Sequence, residues 1–224
     1  AKLRTPLVKT VYEDTRFSWQ KLAGDGVTVY WYAQERVARQ VLDASQETFA
    51  KMKASAGVSL ERPVKVYVYG NKREMDVALP FRSETTTRDL ITQGQAHSEA
   101  DLVMILGSDP DVKGTTAHEL THLITHQLTD NPFAGIPAWL NEGLSMFAEG
   151  ELRSGNQRAV DDAVRRNALL TLRAASALPG KPEQIDLFYG QAYSVVRYLV
   201  DTYGAEKMSQ LLATFKEGTS ADQA

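Results

Sequence analysis

The chain contains no cysteine in 224 residues. That excludes a disulfide framework and thiolate metal sites, so any metal must be held by histidine and carboxylate. No apolar run approaches the ~18 residues that a membrane-spanning helix needs. Positive charge is not in surplus either: 25 Lys and Arg face 28 Asp and Glu, for a net −3. Without a basic footprint, nucleic acid is not an expected partner. Histidine is scarce, four in all. Hydrophobic and charged fractions of 43% and 24% are those of a globular domain. The length suits one sizeable core or two small lobes sharing a cleft. The sequence opens at Ala1 with neither Met nor a signal-like segment and stops at "KEGTSADQA". It reads as a domain cut from a longer chain.

Residues 7–32 read as strands, with "FSWQKLAGDGVTVYWY" forming two runs around a Gly24-Asp25-Gly26 turn. Apolar spacing predicts a helix over 33–56 that Gly57 ends. "RPVKVYVYG" (62–70) is a strand, and Asn71 is placed to cap a short helix stopped by Pro80. Residues 81–101 are polar and patternless, and "DLVMIL" (101–106) is a short apolar strand. Helical patterns follow: the histidine segment, then "PAWLNEGLSMFAEG" with Pro137 as its first residue, then 156–176, 190–203 and 205–217. Strands and mixed elements first, helices afterwards, predict an α+β fold. The division falls between an N-terminal α/β lobe, 1–113, and a helical lobe, 114–224.

Three of the four histidines lie in "GTTAHELTHLITHQLTD" (114–130). Residues four apart share a helix face about 6 Å apart along the axis, so His118 and His122 can converge on one ion. Glu119 is about 100° further round, beside that ion rather than on it. This is the H-E-x-x-H pattern, in which the glutamate serves as base for a metal-activated water. His126 is about 12 Å up the axis from His118, too far to join them, and reads as a supporting residue.

A catalytic site of this kind needs a third protein ligand. Thr125 and Leu128 occupy the places where the H-E-x-x-H-x-x-G-x-x-H class requires Gly and His, which excludes that class. Glu142 of "WLNEG" is on the next predicted helix, and a short loop can bring it back over the histidine pair. Its apolar neighbours and Gly143, which permits close approach of another element, favour it over Asp130, Glu149 and Glu151.

"HELTH" followed by "WLNEG" resembles the gluzincins, the zinc peptidases with two histidines and a glutamate. "WLNEG" is very similar to the glutamate motif of the alanyl aminopeptidase family. The run from about 60 to 217, with "IPAWLNEG" and "FYGQAYSVVRYLVDTYG", resembles the peptidase MA-like domains of bacterial proteins. The resemblance implies a zincin-like two-lobed catalytic domain holding one Zn2+ on His118, His122 and Glu142, with Glu119 as general base and acid. It implies a peptide or protein substrate, and an oxyanion-binding tyrosine at Tyr189 of "YGQA" or, failing that, Tyr193. By the same resemblance "GQA", residues Gly94, Gln95 and Ala96, forms an edge strand that pairs with substrate backbone. It also implies a bacterial, extracytoplasmic or membrane-anchored protein.

Three departures stand out. The spacing from His122 to Glu142 is one residue longer than in the aminopeptidases. His97 occupies the place of the glutamate that grips a substrate's amino terminus there. Met146 stands where thermolysin-like relatives have an aspartate supporting a zinc histidine, leaving that support to Asn141 or a backbone carbonyl. The expectation is zinc-dependent peptide hydrolysis, as endopeptidase or aminopeptidase. The rival expectations are a catalytically silent binding module on the same scaffold and a zinc hydrolase, an amidase or epoxide hydrolase, acting on another substrate.

Overall fold

Strands β1 (Gln20–Gly24) and β2 (Val27–Trp31) form an antiparallel hairpin in which Gly24 faces Val27. Asp25-Gly26 makes the turn, and the positive φ of 70° at Gly26 explains the glycine there. The structure, a computed structural model, describes residues 14–79, 93–131, 135–220 and 223. The parts of the predicted 7–32 and 81–101 segments that fall on 7–13 and 81–92, and Pro80, lie outside the described residues.

Helix α1 (Glu35–Ala56) ends where Gly57 turns left-handed and donates its N–H to Met52 O, as the sequence predicts. It leads into β3 (Val64–Tyr69), which pairs in parallel with β2, so β2, α1 and β3 form a βαβ crossover within a mixed sheet. Helix α2 (Lys72–Ala78) is capped by the Asn71 side chain, which accepts from Glu74 N. Strands β4 (Gly94–His97) and β5 (Leu102–Leu106) complete a five-stranded sheet in the order β1-β2-β3-β5-β4. Strand β5 runs parallel to β3, and β4 runs antiparallel to β5 at the edge.

The rest is helical: α3 (Val112–Thr129), α4 (Ala138–Glu149), α5 (Ser154–Arg166) and α6 (Ile185–Lys216). Fold class is therefore α+β, as predicted. Pro137 is the cap residue rather than the first helical one. The predicted helix over 156–176 is shorter and earlier. It stops at Asn167, whose φ of 52° lets Ala168 N reach back to Ala163 O at 2.8 Å. Helix α6 is interrupted at Gly204 (φ 77°), which reproduces the predicted break between 203 and 205.

Two apolar cores meet at α3. Leu120 and Leu123 pack with Val29, Val66, Val103 and Ile105 of the sheet and with Val41 of α1. Ala117 and Ile124, on the other side of the same helix, pack with Leu140 and Leu144 of α4 and Val196 of α6. Burial on both flanks leaves a narrow half-buried strip on α3, and His118, Glu119, His122 and His126 lie on it. At Gly143 an added Cβ would stand 2.5 Å from Ala192 O, so α4 and α6 cross at a distance only glycine permits, as its place in the sequence predicts.

Candidate metal centre

Each donor comes from an element fixed by that packing. His118 and His122 project from adjacent turns of α3, and Glu142 projects from the first turns of α4, which returns across them. His118 Nε2 is 3.5 Å and His122 Nε2 3.7 Å from the same oxygen, Glu142 Oε2. All three donor atoms lie within 4.8 Å of one another, and this is the metal-competent cluster among the described residues. With bonds of ~2.1 Å, ligand atoms of a tetrahedral site stand about 3.4 Å apart. The two histidine–glutamate spacings, 3.5 and 3.7 Å, are therefore close to those of a filled site. Asp130 and Glu151, weighed against Glu142 as third ligand, are exposed and outside the cluster.

The far ring nitrogens are also engaged. His118 Nδ1 is 2.5 Å from Glu149 Oε1, and His122 Nδ1 is 3.2 Å from both Asn141 Oδ1 and Ser145 Oγ. A proton held at Nδ1 by an acceptor leaves Nε2 bare and aimed at the ion position. Asn141 thus supplies support of the kind expected from the sequence. Glu149, which sequence reasoning ranked as a weak ligand, instead orients His118. Its place seven residues after Glu142 puts it two turns along the same face of α4, but only the crossing of α4 over α3 gives it His118 as partner. Lys51 of α1 fixes that end of α4 by donating to Phe147 O at 2.6 Å and Ala148 O at 3.2 Å.

Charge within the cluster follows from this geometry. Burial disfavours the His118 cation, but Glu142 and Glu149 outweigh it and raise the pKa to about 10 in the absence of an ion. Burial likewise works against an ionised Glu142, yet the two imidazoles hold its carboxyl below the usual range. Three carboxylates around two rings is a surplus of negative charge suited to a cation.

Glu119 points to the edge of the sheet, where its Oε2 accepts from Ala96 N at 2.8 Å. That approach requires Gly94. A Cβ there would stand 2.6 Å from Glu119 Cγ and 2.7 Å from Thr115 Cγ2. Gly94, Gln95 and Ala96, with Glu119, His118, His122, Glu142 and Tyr189, border one groove of about 680 Å3. Burial, then the charges of Glu142, Glu119 and Glu149, push the Tyr189 hydroxyl well above its ordinary pKa and keep it protonated. Tyr193, one turn on, is buried and its hydroxyl accepts from Arg197 Nη1 at 3.0 Å. His126 borders the groove farther along α3, outside the donor cluster. His97 alternates with Ala96 and so faces the side of the sheet away from α3.

No curated protein matches the chain. A family model described as the Peptidase MA superfamily matches residues 44–224. The match begins inside α1 and takes in the sheet from β3 onward, both histidines, Glu119 and the crossing helix with its two glutamates. It covers most of the sequence, and on that ground the chain belongs to the Peptidase MA superfamily.

Proposed function

We propose that the protein is a gluzincin-type zinc peptidase that hydrolyses peptide bonds with Glu119 as general base. The observation that carries this reading is the convergence of His118, His122 and Glu142 within 4.8 Å, with Glu119 on the same helix aimed at an open sheet edge. Two nitrogens and one carboxylate, with no sulfur, form a donor set typical of catalytic zinc, leaving a position for substrate. Zinc, when bound, supplies a Lewis acid that acidifies water and polarises a carbonyl. Glu119 takes the proton of the attacking water and returns it to the leaving amine. Its anchor on Ala96 N sets that carboxylate against the strand along which a peptide would lie. Tyr189, kept protonated by its surroundings, donates to the oxygen that becomes anionic. Glu149, Asn141 and Ser145 hold the rings and take no part in proton transfer.

The test is Glu119→Gln in the zinc-loaded protein. Bound zinc should remain stoichiometric by elemental analysis, while turnover of a degenerate peptide library falls to background. Equal turnover in the variant would remove Glu119 from the chemistry and the mechanism with it.

A further inference from the structure

Resting on that peptidase reading, we infer that the protein is an endopeptidase. Among the described residues the donor cluster stands where two grooves meet rather than at the closed end of one. A second groove, of about 640 Å3, opens on the opposite side of the same residues. Gly94, His118, Glu119 and Tyr189 border both. One arm follows the C-terminal half of α3 past His126 to Asp130 and Asn131. The other passes Thr115 and Glu149 toward Asn156 and Asp186.

Strand β4 gives the direction of the bound chain. Gln93 O already pairs with Leu106 N, whereas Ala96 N points away from β5 to Glu119. By alternation the N–H and C=O of Gly94 and the C=O of Ala96 face the cleft, ready to pair with an added strand. Antiparallel pairing is the more stable arrangement. A peptide laid that way has its amino-terminal part in the arm along α3 and its carboxyl-terminal part in the arm past Glu149.

Length then decides between end-trimming and internal cutting. From His118 to Asp130 the helix rises about 18 Å, the span of about five extended residues. An enzyme that removes single amino-terminal residues needs that arm closed after one. Among the described residues bordering it, the carboxylates besides donor and base are Glu99, exposed beyond the end of β4, and Asp130, exposed at the far end of α3; none stands on α3 within the first turn beyond His122 to grip a terminal amine. Glu119 and Glu142 are committed to base and ligand, and Glu149 to His118. In the opposite arm Arg153, the natural clamp for a terminal carboxylate, is engaged with Glu149 at 3.2 Å and with Asp111 at 3.7 Å.

Two degenerate peptide libraries, long enough to fill both arms, test this with the zinc-loaded protein and mass-spectrometric readout. One has free termini, and the other is N-acetylated and C-amidated. The expected result is that both are cut internally at similar rates, with several residues on each side of the cut. Single-residue release from the free library, with the blocked one intact, would overturn the endopeptidase inference and leave the peptidase reading standing. If neither library is cut, both fall together. His126→Trp narrows the α3 arm without touching donors or base. It should keep its zinc and shift cuts toward shorter amino-terminal fragments. An unchanged fragment distribution would overturn the placement of the substrate.

Discussion

On the proposed mechanism, Gly94→Ala separates the base from the metal. The wild-type glycine has no positive φ, so the argument is one of space alone. The new methyl would lie 2.6 Å from Glu119 Cγ, 2.7 Å from Thr115 Cγ2 and 3.2 Å from Ile105 Cδ1. Ordinary contact begins at 3.4 Å, so strand and helix must part by about 0.8 Å or Glu119 must turn aside. Either response breaks the 2.8 Å bond from Ala96 N. A misplacement of about 1 Å at the reacting groups costs on the order of 100-fold in rate. Overpacking costs about 1–3 kcal/mol, offset by roughly 0.5–1 kcal/mol for replacing glycine in a strand. Against a total of about 5–15 kcal/mol the variant still folds. Its three donors are untouched, so zinc stoichiometry stays at one while kcat/KM on a cleaved peptide falls about 100-fold. Gly180→Ala, where nothing lies within 4 Å, is the control and should match wild type. A folded, zinc-loaded Gly94→Ala protein within twofold of wild type would refute the tie between β4 and the base.

Lys51→Met removes two donors from the terminal carbonyls of α4. Hydrogen bonds from a charged group contribute about 1.5–3 kcal/mol, part of it spent on desolvating the ammonium, whose pKa burial lowers. A loss of about 1–2 kcal/mol should lower Tm by roughly 2–8 °C in a melting scan; an unshifted melt would show the contact to be idle. Zinc affinity should depend steeply on pH. His118 without metal keeps its proton up to about pH 10, and an ion must displace it. Raised folded pKa means competition is greatest at low pH and fades as pH rises through that value. Affinity measured against a competing chelator should therefore rise about tenfold per unit between pH 7 and 9. A flat profile would mean that His118 is neutral without metal.

Local features were legible in the sequence and crossings were not. The i, i+4 pair of His118 and His122 needs only helix geometry, and Gly26, Gly57 and Asn71 announce their turns through side-chain chemistry alone. Glu142 was reachable because α4 follows after a short connection. Glu149 was not, since its partner is set by how α4 lies over α3. Strand β4 has little apolar pattern of its own, and resemblance rather than periodicity pointed to it. The overlong helix at 156–176 failed for a similar reason. Beyond Asn167, the amide of Gln191 on α6 takes both Leu170 N at 2.9 Å and Leu170 O at 2.6 Å. That long-range pairing replaces helical bonds the local sequence would otherwise make.

The double embedding of α3 has a consequence for what happens when the ion leaves. A zinc finger collapses without its metal because the metal is its core. Here two hydrophobic interiors hold the helix, and on the proposed reading a bound cation would be a passenger in a socket already built. A chelator should empty that socket and leave the walls standing, lowering heat resistance only by the mass-action share that any tight ligand contributes. Re-adding the ion should then restore turnover without a refolding delay.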